Sequence, residues 1–104
     1  MRAGRMKHLI TIQEVVSGVD EHGTPVETGV VFYSLRAELV QQSTDEFLKA
    51  QGAVGETVVV FRTRYLDGVT VAHRVLFKGE PYNVRQVAPI EGNRGLELRC
   101  ARLD

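Results

Sequence analysis

At 104 residues, with 13 basic and 13 acidic side chains, the chain has the length of one domain and no net charge. Duplex-DNA binders usually carry a basic excess gathered on one face, so this balance argues against that class. Cys100 is the only cysteine, which leaves no intramolecular disulfide, and no apolar run approaches the length of a membrane span.

The zero sum hides an uneven distribution. Residues 1–13 carry Arg2, Arg5 and Lys7 without an acid, residues 14–56 hold eight acids against Arg36 and Lys49, and residues 57–104 hold eight bases against five acids. The three stretches therefore carry +3, −6 and +3, a separation that suits head-to-tail association of one copy with the next. The N-terminus is basic but lacks the apolar stretch of a signal peptide, so synthesis in the cytoplasm is expected.

Period-two alternation dominates the chain. The first strand is predicted from about His8 to Val16. Ser17 to Gly29 is polar and contains Asp20, Gly23 and Pro25, which reads as a mobile loop or an extended hairpin tip. From Val31 to Leu39 the odd positions Val31, Tyr33, Leu35, Ala37 and Leu39 form an apolar face, with Ser34, Arg36 and Glu38 opposite.

Ser43-Thr44-Asp45-Glu46 then has the spacing of a capping box, and Gly52 is placed to terminate a helix begun there. This predicts one short helix over about 44–51. Thr57 to Tyr65 returns to alternation, with Val59, Phe61 and Tyr65 inward and Arg62 and Arg64 outward. Val58 and Val60 make the other face apolar at its start.

Arg74–Lys78 and Tyr82–Ala88 flank Gly79-Glu80-Pro81 as a hairpin. The apolar parity shifts between Val84 and Val87, which predicts a bulge. The last strand sets Leu96, Leu98 and Cys100 against Glu97 and Arg99. The fold class is mainly β: a small rolled or closed antiparallel β-barrel of about six strands with one short α-helix, as a single domain over residues 1–104.

The residues offer little catalytic chemistry. His8, His22 and His73 share no metal-ligand spacing with one another, with Cys100 or with a carboxylate. Asp45 and Glu46 favour a helix start by charge rather than acting as an acid–base pair. Ser17, Ser34 and Ser43 lack a neighbouring base, and Gly52-Ala53-Val54-Gly55 lacks the Lys-Ser/Thr of a phosphate loop. No catalytic residue, metal site or cofactor is expected. Arg62, Arg64, Arg74, Arg85, Arg94, Arg99 and Arg102 could line one surface, but only Tyr65 and Tyr82 are available to stack on bases. A small β-barrel that binds nucleic acid or a peptide is the alternative from a different class.

An ordered series of short marks runs along the sequence. Gly4-Arg5-Met6-Lys7-His8 leads into Ile10-Thr11-Ile12-Gln13, then Ala37-Glu38, then Glu46 with Ala50-Gln51. Thr57-Val58-Val59-Val60 leads into Arg64-Tyr65, followed by Arg74 to Val84 and finally Leu96-Glu97-Leu98-Arg99-Cys100. In order and spacing the series resembles the tailed-bacteriophage head–tail joining proteins, the connectors that complete the head, over residues 4 to 102. Two positions depart from the pattern: Leu9 stands where members often carry Arg, and Arg36 where an aromatic often precedes Ala-Glu.

The resemblance implies a non-enzymatic protein of a phage or prophage virion neck. Copies would form a ring below the portal/adaptor complex, a stopper-type connector that closes the DNA-filled head and offers a docking surface to a tail completion or tail-tube protein. A tail-proximal completion protein is the second position in the same stack. Packaged DNA would be met in the channel without sequence-specific recognition, and no membrane would be involved. The protein would be made in the host bacterial cytoplasm and end in the virion neck.

The resemblance also implies that the connection between the second and third long strands approaches the channel. Here that segment holds Gln41, Ser43, Thr44, Asp45, Glu46, Phe47, Leu48, Lys49, Gly52 and Gly55. With Asp45, Glu46 and Glu56 it would give a ring an acidic lumen. Arg36, Glu38, Arg62 and Arg64, outward on two strands, are the candidate subunit contacts.

Overall fold

Alternation in the sequence becomes six antiparallel strands: β1 (His8–Val19), β2 (Pro25–Lys49), β3 (Gly52–Arg64), β4 (His73–Phe77), β5 (Glu80–Ile90) and β6 (Gly95–Leu103). The structure, a computed structural model, describes residues 5–49 and 52–103, and the side chains of all of these but 45–49, 52–54 and 103. The strands close in the order β1-β2-β3-β6-β5-β4, and β4 returns to β1 through pairs from Ile10 with Phe77 to Glu14 with His73. Closure joins each strand to two others, with β1, β3, β4 and β6 paired on both sides over several residues and β2 and β5 changing partner at Ala37 and Asn83.

The inner face is filled by alternate residues from every strand. Ile10, Ile12, Val59, Phe61, Val75, Leu98 and Cys100 are fully buried, as the alternation predicts for β3 and β6. The ring of Phe61 meets that of Phe77 edge-on at 5.0 Å, and Phe77 lies 6.3 Å from Tyr82. The loop after β3 drops Val69 into the core, with Leu66 packed beside it. Thr63 is sealed in the same core, and its hydroxyl donates to the carbonyl of Arg64 at 2.8 Å.

β2 organises the whole molecule. Its 25 residues would span roughly 80 Å if straight, whereas the longest dimension is 46 Å. The strand therefore has to bend, and two bulges do it. Ile12 faces Tyr33 while Gln13 faces Val31, so Phe32 is an extra residue; Leu39 faces Phe61 while Gln41 faces Val60, so Val40 is another. Residues 25–37 of β2 pair with β1, and residues 37–49 pair with β3.

Two hairpin arms follow from this register. Beyond Glu14 and His73, residues 15–19 of β1 pair only with residues 25–29 of β2, and beyond Glu56, residues 52–55 of β3 pair only with residues 46–49 of β2. The first arm leaves the barrel at the end where β3 finishes and β4 begins. The second leaves at the end that carries the β4–β5 turn. They project from opposite ends.

Several expectations are corrected. No α-helix occurs among the described residues, and 43–49 continue β2 as strand; Ala50 and Gln51 lie outside the described residues. A two-turn helix gains little by itself, whereas Ser43 and Thr44 here gain a full ladder against Val58 and Thr57. The hydroxyls of Thr44 and Thr57 also meet at 3.3 Å. Val31 and Tyr33, predicted inward, are 63% and 51% exposed: the Phe32 bulge reverses the alternation, so Val31 shares the outer face with its partner Gln13, and Tyr33 stands directly beside the bulge. Tyr65 is 43% exposed because the chain leaves β3 after Arg64.

The first strand runs three residues further than predicted, to Val19, so Ser17–Gly29 is an extended hairpin. Its turn is fastened by Asp20, whose carboxylate accepts from the backbone N–H groups of His22 at 2.8 Å and Thr24 at 2.9 Å. The predicted β5 bulge is present: Val84 faces Cys100 and Gln86 faces Arg99, leaving Arg85 as the extra residue.

Candidate functional site

The four charged positions predicted as subunit contacts share the outer surface of β2 and β3. Arg36 and Glu38 are alternate residues of β2, and Arg62 and Arg64 alternate residues of β3. Glu38 lies opposite Arg62, and Arg62 opposite Glu97 on β6, so three strands present a row of alternating charge. Within it Arg62 Nε reaches Glu97 Oε1 at 3.3 Å. Arg36 is exposed and donates to the carbonyl of Lys7 at 3.5 Å, and Arg64 ends β3 in solvent.

The segment predicted to approach a channel is the root and shaft of the second arm. Gln41 sits on the outer wall opposite Val60, while Ser43 and Thr44 continue the strand opposite Val58 and Thr57. The backbone then pairs Asp45 with Glu56, Glu46 with Gly55, Phe47 with Val54, Leu48 with Ala53 and Lys49 with Gly52. Glu56 is not a free acid, because Arg85 Nη2 holds its Oε1 at 3.3 Å. The bulge on β5 is what delivers Arg85 to that position.

At the barrel end below this arm, Arg102 covers the core. Its guanidinium lies 5.3 Å from the ring centre of Tyr82 and reaches Glu80 Oε2 at 2.6 Å. At the other end Phe32 packs on the imidazole of His73 at 4.8 Å, and the Nδ1 of His73 accepts from the backbone N–H of Thr70 at 3.1 Å. His8 instead meets Phe77 edge-on, and His22 lies at the exposed first turn beside Glu21. Among the described residues, no three His, Cys, Asp or Glu side chains come together in a metal-binding group. Burial pushes the Cys100 thiol up to about 12, so it stays protonated and unreactive in the fold.

Sequence reasoning missed a groove of about 290 Å³ on the outer wall. It lies between the bulges at Val40 and Arg85, with Val60 and Ala88 in its floor and Arg62 and Arg99 at its sides. Bending the sheet at two bulges makes its outside concave here, and Val60 is only 7% exposed although it points away from the core. The apolar Val58 and Val60 on the supposedly wet face were the available signal.

The profile of the phage head completion protein family matches residues 1–103. The chain belongs to that family. Its role is thus a structural one in completing the head of a virion. Among curated proteins none matches it.

The fold of this head completion protein recurs in solved structures. A chain from the virion of a native gene transfer agent particle superposes with a TM-score of 0.74 at 14% identity, covering 96% of each chain. Protein SF1141 from Shigella flexneri 2a superposes with a TM-score of 0.61 at 22% identity, covering 96% of this chain and 95% of that one.

Proposed function

We propose that the chain is a ring subunit of the virion neck: it sits below the portal complex, closes the DNA-filled head and presents the surface on which the tail docks. The observation that carries this reading is the pair of arms projecting from opposite ends of the barrel along one continuous strand, β2. A subunit that joins one layer above to another below needs contact elements at both ends. A barrel whose own interior is filled supplies a rigid body between them.

The second arm, from Gln41 through Gly55, is the part assigned to the channel. Strands paired only with each other can extend from the wall while keeping their backbone hydrogen bonds. Asp45 and Glu46 would line a lumen that repels DNA phosphates, while Glu56 is already matched by Arg85. Arg36, Glu38, Arg62 and Arg64 are assigned to contacts between neighbouring copies.

Replacing residues 43–52 with a short Gly/Ser linker tests the assignment. The barrel is expected to remain folded, and the resulting heads to lose DNA or fail to join tails. Heads that keep their DNA and accept tails at wild-type frequency would remove this arm from the working part.

A further inference from the structure

The outer groove and the first arm complement each other in both polarity and charge, and they are separate places on one chain. At the arm and its root, the face that continues the inner side of the sheet carries Glu14, Val16, Val26 and Val30, because Glu14 pairs with Val30 at the root and Val16 with Thr28 and Gly18 with Val26 along the arm. The three valines are exposed in the single chain. Residues 14–30 hold Glu14, Asp20, Glu21 and Glu27 without one Lys or Arg, and neither Glu14 nor Glu27 has an ion-pair partner among the described residues. The groove offers the converse. Val60 and Ala88 give it an apolar floor, and of its two arginines Arg62 is matched by Glu97, while the exposed Arg99 faces no carboxylate among the described residues.

We infer that the β1–β2 arm of one copy seats in the outer groove of a second copy, with its valines on Val60 and Ala88 and an arm carboxylate on Arg99. Charge complementarity selects this occupant over an unrelated partner: the acidic stretch and the basic-sided groove belong to the same sequence, whose net charge is zero. The contact joins two different surfaces, so it is heterologous and repeats from copy to copy, the kind of interface from which a closed ring is built. Fastening of the turn by the Asp20 carboxylate holds the arm in one shape before contact, which lowers the ordering cost of association. The inference rests on the ring reading above and names the surfaces that make it.

The test uses assembled particles carrying the full chain with Thr28→Cys on the arm, Gln86→Cys at the groove and Cys100→Ala to remove the native thiol. Mild oxidation is expected to give a ladder of covalent multimers, and neither single cysteine to give one. Glu14→Arg and Arg99→Glu are each expected to lower incorporation into particles roughly tenfold, and the two together to restore most of it. A ring seen by electron microscopy with no ladder, or with no rescue by the double charge swap, overturns the arm-in-groove contact and leaves the ring reading standing. Particles that hold the protein without any ring overturn both.

Discussion

Arg102 and Glu80 meet at 2.6 Å across one end of the barrel, and the same guanidinium lies 5.3 Å from the ring centre of Tyr82. One side chain thus closes the core with its planar face and satisfies an acid with its edge, a geometry that suits arginine and not lysine. Arg102→Lys should therefore lose more than a charge-conserving change usually does. The expected cost is about 1 kcal/mol for Lys and up to about 2 kcal/mol for Ala, read as a shift in the urea midpoint with an unchanged slope. Equal stability of the Lys variant and the wild type would remove the stacking from the account.

Phe61 is fully buried and edge-on to Phe77 at 5.0 Å. Phe61→Ala should cost roughly 3–5 kcal/mol, because it removes the largest fully buried side chain among the described residues and leaves a cavity beside Phe77. For a domain of this size that threatens folding altogether. Phe61→Leu, which keeps most of the volume, should fold and unfold at lower urea. A Phe61→Ala melt within a degree or two of wild type would contradict the burial.

The β4–β5 turn is made by Lys78 and Gly79, with φ of 52° and 78°, the left-handed pair that a two-residue hairpin turn requires. A Cβ added at Gly79 would meet nothing within 4 Å, so the cost of Gly79→Ala is purely conformational, about 1–2 kcal/mol. Thermal melts of Gly79→Ala and Gly79→Asn separate the effects. Asn, which tolerates this region better, should recover part of the loss.

Cys100 provides a pH signature. Burial raises its thiol from 9.0 to about 12, so between those values the unfolded chain gives up a proton that the folded chain retains. The native state then binds more protons, and stability falls as pH rises through that window, while below pH 9 the contribution is fully present. Relative to Cys100→Ala, the wild type should lose stability progressively above pH 9, by up to about 1.4 kcal/mol per pH unit. A thiol reagent at pH 8 should label it only on unfolding. Parallel pH profiles for the two proteins would show that the thiol does not titrate differently on folding.

Much of the barrel is written in the chain at the level of single residues. Alternation placed Val59, Phe61, Leu96, Leu98 and Cys100 inside, since a period of two puts every second side chain on one face whatever the strand's neighbours. The parity shift after Val84 disclosed a bulge because one extra residue reverses that alternation. The family was legible in the order of marks from Gly4 to Cys100, and the profile match over residues 1–103 bears it out.

Other features were decided only by the tertiary structure. The capping box at Ser43–Glu46 is a local signal, and it loses to a ladder whose other half, residues 52–60, lies along the returning chain. The absence of Gly and Pro from Val30 to Gln51 was consistent with one long strand, yet it could not show that its two halves pair with different partners. Exposure of Tyr65 depends on where β3 leaves the wall, and that of Val31 and Tyr33 on the bulge at Phe32, whose place is fixed by the register of β2 on β1. The groove around Val60 belongs in the same class: a concave outer surface arises from two bulges 45 residues apart in sequence, at Val40 and Arg85, which the strand order sets on either side of β3 and β6. Alternation reports which face a residue occupies; curvature and the ends of the wall are properties of all six strands together.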